Sequence, residues 1–423
     1  MLSFNLKWLH KIVSRRIFKS VIVVGQGYVG LPLAVNAAKS GYKVYGFDIS
    51  KEKIEQLKKG HCDSPDIKKS DLLRLQKKGK IQFTATIPKL YGQSIIVIAV
   101  PTPLDTNRKP DLSMLVNACE LVASIIADKS LVINESTSYI GTLRDLIKPR
   151  IDKLSSAKDI IYAVAPERID PGNTKWGMKN TPRVIAGLDD NATQMTVKFY
   201  SKFCKQIHIA SKPEVAEAAK LFENTFRQVH IALVNELSSI ADAIGFSTHE
   251  TITAASTKPF GFMPFYPSIG VGGHCIPVDP SYLALSAESA GTEAKFINLA
   301  NLTNSTMPKI IAGRIKIFLD GSLSGKKIQI AGITYKPNIS DIRESPVLDL
   351  IRELKALGAS VSWHDPFVIK YSDQQSSELD SNIDLGLITT PHSQIDFSVW
   401  KKSGIKVLDL SANTINFGWP KFL

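Results

Sequence analysis

The sequence predicts an α/β protein in which two doubly wound domains are joined by a long central helix. Three observations carry that expectation. A compact apolar run, Val21 to Val24, leads into Gly25-Gln26-Gly27-Tyr28-Val29-Gly30 and a helical pattern; a stretch from Pro213 to about Ala255 repeats apolar residues every three or four positions; and a second strand and helix alternation opens at Lys327. With 423 residues, 44% hydrophobic and 22% charged, the chain is long enough for two or three domains, each with its own core.

Residues 1–20 form a basic extension in which Lys7, Lys11, Arg15, Arg16 and Lys19 lie among Leu6, Trp8, Leu9, Ile12 and Val13, the pattern of a short amphipathic helix. Its apolar runs are too short for a signal peptide or a membrane span. It reads as a loose anchor for an anionic membrane surface or as a solvated extension packed on the first domain, and the second reading is preferred. Residues 21–205 carry the pattern of a Rossmann-like domain: strand Val21 to Val24, helix Leu31 to Lys39 stopped by Gly41, strand Lys43 to Phe47 ending at Asp48, strand Ser94 to Ala99, helix Leu112 to Ala127, and strands Ser130 to Asn134 and Ile160 to Ala163. Such alternation implies a mostly parallel sheet. Residues 206–315 form a central helical region with a glycine-rich loop. Its long helix carries Ala216, Ala219, Phe222, Phe226, Val229, Leu233 and Leu237, a stripe that suits a copy of itself or an intrachain core; both readings stay open. A further helix, Phe296 to Phe318, follows. Residues 316–423 form a second, smaller Rossmann-like domain: strand Lys327 to Ile333, helix Val347 to Leu357, and strands Ser360 to His364, Leu385 to Thr389 and Ile405 to Leu408, with the polar Gln374 to Asp384 as a surface loop.

Composition narrows the function less than the pattern does. The formal charge of +13 suits nucleic acid, a membrane surface or an anionic small substrate. The lysines, however, are scattered over helix surfaces without the basic and aromatic clusters of a nucleic-acid binder. Cys62, Cys119, Cys204 and Cys275 form no CxxC pair, so neither zinc nor a disulfide framework is expected, and a reducing cytoplasm fits. No stretch approaches eighteen consecutive apolar residues, so no integral membrane segment is expected.

In the glycine turn, Gly25 is expected to make the tight bend, Gly27 to let a pyrophosphate reach the backbone, and Gly30 to let helix and strand pack closely, with Tyr28 and Val29 between them. Asp48, at the end of the next strand, is placed to bond both ribose hydroxyls and to repel a 2′-phosphate, which favours NAD over NADP. Ala99-Val100-Pro101-Thr102-Pro103 and Glu135-Ser136-Thr137 follow strands on the same edge and read as a lining for the nicotinamide side. The sharpest candidate is Cys275. It lies in a loop behind Gly270, Gly272 and Gly273 and ahead of Pro277-Val278-Asp279-Pro280, poor material for a core, and reads as a nucleophile. Lys220 and Asn224, four apart on one helix face, can favour thiolate and bind an oxyanion, and Asp279 can hold a water or take a proton. A His274–Cys275 dyad is not expected, because adjacent side chains rarely point the same way.

These residues resemble the nucleotide-sugar 6-dehydrogenase family, in its UDP-glucose and UDP-N-acetylhexosamine branches. Matching segments run in order from Gly25 to Gly30 with Asp48, through Val100 to Pro103, Ala165-Pro166-Glu167-Arg168, Lys220-Leu221-Phe222-Glu223-Asn224 and Gly272 to Pro280, to the tail Tyr335-Lys336-Pro337-Asn338-Ile339-Ser340-Asp341-Ile342-Arg343-Glu344-Ser345-Pro346. The resemblance implies an NAD domain and a UDP domain flanking a dimerising helix, and two oxidations of the sugar C6 alcohol through a thiohemiacetal and a thioester on Cys275. It implies that Lys220 stabilises the oxyanion, Asn224 positions water and sugar, Glu167 assists thioester hydrolysis, Asp279 is the partner acid or base, and Thr137 contacts the nicotinamide end or the water network. Lys336 and Arg343 would reach the substrate and cofactor phosphates, and Arg227 would lie near the substrate of a neighbouring subunit. Glu167, Arg168 and Gly272 join the substrate set.

The segment Thr257 to Pro267, with Lys258, Phe265 and Tyr266, together with Val278 where UDP-glucose enzymes carry lysine, resembles the UDP-N-acetyl-D-glucosamine 6-dehydrogenase branch. The sequence departs from it at Ser268-Ile269, where Gly-Pro is usual, at Ile140 and at His230. The expectation is therefore an NAD-dependent UDP-N-acetylhexosamine 6-dehydrogenase of surface polysaccharide synthesis, acting as a homodimer or higher homo-oligomer without metal. UDP-glucose, UDP-N-acetylgalactosamine and UDP-N-acetylmannosamine stand as alternative substrates, and a non-catalytic nucleotide-binding protein as a distant one.

Overall fold

In the computed structural model the described residues are 18, 20–62, 64, 67–86, 92–169, 173 and 175–423, so nearly all of the basic extension lies outside them. The chain forms two units. The first comprises Met1–Thr102, Leu112–Thr137 and Gly141–Glu217; the second comprises Pro103–Asp111, Ser138–Ile140 and Ala218–Leu423.

In the first unit, the strands β1 (Ser20–Val24), β2 (Val44–Phe47), β3 (Ile81–Thr84), β4 (Ser94–Ile98), β5 (Leu131–Asn134), β6 (Ile161–Val164), β7 (Arg183–Gly187) and β8 (Ile207–Ile209) form one sheet in the order β3-β2-β1-β4-β5-β6-β7-β8. Pairing is parallel except between β6 and β7. Alternate residues feed opposite cores: Val21 and Val23 of β1 join Ile95 and Val97 on one face, while Ile22 and Val24 join Ile96 and Ile98 on the other. Burial on both faces explains why these strands read as unbroken apolar runs. The strand order reverses between β1 and β4, so the carboxyl ends of those two strands open a crevice.

The second unit is built on the long helix Pro213–Ile244, of which its first residues belong to the first unit, on Lys295–Phe318, and on a second sheet. That sheet contains β9 (Lys327–Ala331), β10 (Ser360–His364), β13 (Leu385–Ile388) and β14 (Val407–Asp409), all parallel, in the order β10-β9-β13-β14. Its switch point lies between β9 and β13. The short pair β11 (Lys370–Tyr371) and β12 (Gln374–Gln375) forms a separate antiparallel ribbon.

Two expectations need correction. The helix from Pro213 does not run to Ala255: Gly245, at φ +92°, ends it, and the Ser247 side chain caps a new helix, Thr248–Ala255, by accepting from Glu250 N. The Gln374 to Asp384 segment is not a plain surface loop, because its first two residues pair as β12 and Gln329 Nε2 donates to Ser377 Oγ and the Glu378 carbonyl. The pattern reading also passed over β3, β7 and β8, and the helices Lys51–Lys58, Lys69–Lys77 and Asp190–Tyr200.

Candidate active site

At the switch point of the first sheet, each glycine of the turn has its own physical reason. Gly25 sits at φ +94°, and a Cβ there would lie 2.3 Å from the Ala99 carbonyl oxygen. A Cβ on Gly30 would lie 1.9 Å from the Gly25 carbonyl oxygen, so only glycine lets the helix Gly30–Lys39 seat on the strand. A Cβ on Gly27 would meet nothing within 4 Å, leaving backbone that a phosphate can approach. Tyr28 is half-buried and Val29 precedes the helix. Asp48 follows β2, buried, with Oδ2 accepting from Gln26 N at 2.9 Å and from Lys53 Nζ at 3.2 Å. These features fit a dinucleotide.

The loops after β4 and β5 are tied together. Ser136 Oγ donates to the Val100 carbonyl at 2.8 Å and accepts from Val100 N at 2.9 Å, while Thr102 Oγ1 donates to the Thr137 carbonyl at 2.5 Å. Ser136 therefore braces the loop that presents the exposed Pro101. Further along the edge, Glu167 Oε1 accepts from the backbone N–H groups of Arg168 and Ile169, and its Oε2 meets Arg183 at 2.6 Å. Arg168 donates to the Pro182 carbonyl.

In the second unit, the loop that closes on the helix Asp279–Ser289 brings four of the expected catalytic residues into one cluster. Asp279 is buried at the first turn, where Asn224 Nδ2 donates to its Oδ2 at 2.5 Å. Burial raises the Asp279 carboxyl to about 6 against the pull of Lys220 and Asn224. The amide expected to serve an oxyanion is thus committed to Asp279. Burial and the Asp279 charge push the Cys275 thiol up to about 12, against Lys220, Arg343 and Arg227, so Lys220 alone does not make a thiolate. The expectation about His274 is also overturned: its Nδ1 lies 2.9 Å from Cys275 Sγ. Burial and then Arg343 hold the imidazole down to about 4, so it is neutral and its Nδ1 can accept a hydrogen bond from the thiol. Arg343 is held by Asp341 through Nε at 2.9 Å and Nη2 at 2.5 Å.

Beside this cluster is a cleft of about 210 Å³ at the carboxyl ends of β9, β13 and β14, the second sheet's switch point, lined among others by Ser268, Gly272, Lys336, Thr390 and Asn413. The expected substrate residues Gly272 and Lys336 come together here. A Cβ on Gly272 would press on Tyr335 Cβ at 2.6 Å. Phe265 and Tyr266 rest on histidines: Phe265 stacks on His230 with centroids 5.1 Å apart, and Tyr266 on His249 at 5.4 Å. Lys258 is exposed and lies over the Phe260 ring, Arg227 is exposed, and Val278 is buried.

Three domain signatures of the UDP-glucose/GDP-mannose dehydrogenase family match in order: the NAD binding domain over residues 19–204, the central domain over 214–306 and the UDP binding domain over 329–410. The chain belongs to that family. It is an NAD-dependent oxidoreductase. Protein CapL of Staphylococcus aureus is 35% identical over 404 residues, covering 92% of this chain and 93% of that protein. A UDP-N-acetyl-D-glucosamine 6-dehydrogenase of Pseudomonas aeruginosa is 35% identical over 355 residues, covering 82% and 83%. The solved UDP-D-ManNAc dehydrogenase of Pyrococcus horikoshii superimposes with a TM-score of 0.84 at 32% identity, covering 95% of this chain and 97% of that one. Among the described residues of this dehydrogenase, no helix is long and apolar enough to cross a membrane.

Sequence reasoning missed Arg183, which joins Glu167 to Glu135, and misjudged His274. The first had no signal, because a single arginine opening an unrecognised strand looks like any surface charge. The second was legible only as adjacency, and adjacency argued the wrong way.

Proposed function

We propose that this dehydrogenase oxidises the C6 hydroxyl of a UDP-N-acetylhexosamine, UDP-N-acetylglucosamine first, to the uronic acid for surface polysaccharide synthesis. The single observation carrying the reading is the Cys275 cluster: a thiol on a glycine loop with an imidazole nitrogen at 2.9 Å, the Lys220 charge nearby and a buried Asn224–Asp279 pair behind it. Val278, buried where UDP-glucose enzymes carry lysine, favours the N-acetyl branch.

NAD+, when bound, would supply the hydride acceptor for each of two oxidations at C6, four electrons in all. The chain's own residues do the rest. The Cys275 thiol, hydrogen-bonded to His274 Nδ1, adds to the aldehyde carbon, its proton ending on the aldehyde oxygen, and the thiohemiacetal keeps a hydrogen on carbon for the second hydride while preventing escape of the aldehyde. The Lys220 ammonium offsets negative charge developing on the aldehyde oxygen. Asp279, held in direction by Asn224, exchanges a proton with that oxygen. Glu167 is the base for water that hydrolyses the thioester. NAD is held over residues 21–205 on Gly25, Gly27, Tyr28, Val29, Gly30 and Asp48, with Pro101, Thr102, Ser136 and Thr137 at the nicotinamide end and Arg343 toward the phosphates. The UDP portion is held over 316–423 through Lys336 and the cleft, with Glu167, Arg168, Arg227, Lys258, Phe265, Tyr266 and Gly272 in the substrate set. Residues 206–315 form a cytoplasmic homodimer or higher homo-oligomer; Phe222, Leu233 and Ile244 on the long helix and Leu302 on its neighbour expose apolar surface suited to a second copy.

The test is a panel of UDP-sugars with NADH counted per sugar consumed. Two NADH from UDP-N-acetylglucosamine are expected, and Cys275→Ser should lose NADH release while still binding the sugar. One NADH per sugar, or full turnover by the serine variant, removes the thioester route. UDP-N-acetylmannosamine is the second reading, favoured by the substrate named for the Pyrococcus neighbour.

A further inference from the structure

The one antiparallel pairing in the eight-stranded sheet decides what reaches its ligand edge. Because β7 runs against β6, its first residue, Arg183, arrives where β5 and β6 end; a parallel β7 would have put Arg183 at the far edge. There the guanidinium, 3% exposed, donates to Glu167 Oε2 at 2.6 Å, and to Glu135 Oε1 and the Ala165 carbonyl, each at 3.0 Å. Its face lies 4.8 Å from the Tyr200 ring centre, and the Tyr200 hydroxyl donates to Glu135. Cys204 completes the titratable groups around it.

One cation neutralises one of two carboxylates, so a neutral buried cluster holds one proton between them. Glu167 has the shorter contact with the arginine, and two backbone N–H groups serve its other oxygen at 2.7 and 2.8 Å. Glu135 is deeper, 1% exposed, and its Oε2 has no hydrogen-bond partner among the described residues. The charge therefore belongs on Glu167 and the proton on Glu135. Burial, reinforced by repulsion from Glu167, pushes Glu135 up to about 7.

Resting on Glu167 as the base of thioester hydrolysis, we propose that Arg183 is its positioning residue: the guanidinium aims the Glu167 carboxylate, while Glu135 holds the spare proton. The step served is balanced. Water oxygen bonds to the acyl carbon, the carbon–sulfur bond breaks, one water proton passes through Glu167 to the sulfur, and the products are the free acid and the Cys275 thiol.

Arg183→Lys keeps the charge and loses the fork; Arg183→Gln loses both. With UDP-N-acetylglucosamine and NAD+, both variants should keep the first-turnover NADH burst while the steady rate falls, about tenfold for lysine and more for glutamine, and acyl-enzyme accumulates as added mass. A purely structural role would lower burst and steady rate together, which overturns the proposal. Glu167→Gln is run alongside. If it blocks hydrolysis while both Arg183 variants match the wild type, positioning fails alone; if it hydrolyses normally, the base reading itself fails. Should the Arg183 variants not fold, infrared spectroscopy on Glu135→Gln, a close mimic of a protonated carboxyl, decides. A protonated-carboxyl band in the wild type at mildly acidic pH should vanish in Glu135→Gln; a band that persists there and vanishes in Glu167→Gln overturns the assignment.

Discussion

The two parallel sheets repeat one backbone device and finish it differently. Gly25 follows β1 and donates its N–H to the Phe47 carbonyl at 2.8 Å; Gly332 follows β9 and donates to the His364 carbonyl at 2.8 Å. Both have positive φ, and a Cβ on either would run into a carbonyl after the neighbouring strand, Ala99 at 2.3 Å or Thr390 at 1.9 Å. In both, the next residue donates to an aspartate ending the second strand: Gln26 N to Asp48 Oδ2 at 2.9 Å, and Ile333 N to Asp365 Oδ2 at 2.8 Å. Then the sheets part. After Gly25 come two more glycines and a helix starting at Gly30, so the edge offers backbone donors to a phosphate. After Gly332 come Thr334, Tyr335 and Lys336, with no helix until Pro346, so the edge offers side chains around a cleft. The turn is a generic way to end a strand beside a crossover; the residues after it choose the ligand.

The sharpest way to break this parallel is to add one methyl group to each turn. Gly25→Ala and Gly332→Ala each combine left-handed strain with a backbone clash, and each should cost about 3 kcal/mol of stability. The losses of binding should separate: Gly25→Ala should abolish the rise in melting temperature given by NAD+ and keep that given by UDP, and Gly332→Ala the reverse. A variant that keeps both ligand responses would show that the turns do not shape the sites.

The two aspartates come next in size. Asp48 has a face toward solvent at 8% exposure, whereas Asp365, at 1%, is walled in by His392 Nε2 at 3.0 Å and the N–H groups of Phe367 and Val368. Asp48→Asn should weaken NAD+ binding about tenfold, by loss of a charged acceptor for ribose, and narrow the preference over NADP+, with little change in melting. Asp365→Asn should cost about 2 kcal/mol of stability and leave NAD+ affinity unchanged. Equal effects on NAD+ binding in titration would erase the distinction. The acid response sharpens it further. Burial works against the Asp365 charge, but His392 and the backbone N–H groups of Ile333 and Phe367 outweigh it and hold the carboxyl below the ordinary range. Its contribution is present above the unfolded carboxylate pKa of about 3.9 and is lost as pH falls through the lower folded value, so Asp365→Asn should flatten that part of the acid unfolding curve.

This contrast also explains what could be read from the chain beforehand. The Gly25 turn was legible because its three glycines and Asp48 crowd into a local pattern with a local reason for each residue. Gly332 and Asp365 perform the same backbone task, yet without Gly27 and Gly30 counterparts the spacing carries no fingerprint, and His392 reaches Asp365 only through the fold. Strands buried on both faces were visible as apolar runs, except β7, which is buried throughout but opens on Arg183 and has only three apolar residues before Gly187. Strand β8, half-buried or exposed throughout, and β3, with exposed Gln82, were not. At the Cys275 loop the residue types pointed to nucleophilic chemistry, but the pairing of Asn224 with Asp279 and of His274 with the thiol depends on side-chain direction, which spacing does not report.

The smallest expected effect concerns the basic side chain each aspartate recruits. Asp48 has Lys53, whose side chain is 44% exposed at 3.2 Å, whereas Asp365 has His392 with a fully buried side chain at 3.0 Å. A pair whose lysine is exposed spends side-chain entropy for a contact that water and salt already weaken, so Lys53→Ala should change stability by less than about 0.5 kcal/mol, and the difference should shrink further at high ionic strength. His392→Ala removes one of the buried donors to Asp365 and the acceptor for Asn338 N, and should cost about 2 kcal/mol with little salt dependence. Denaturant melts at low and high salt separate the two. If Lys53→Ala proves as costly and as salt-insensitive as His392→Ala, the first aspartate is as enclosed as the second, and its availability to a ribose is lost with the comparison.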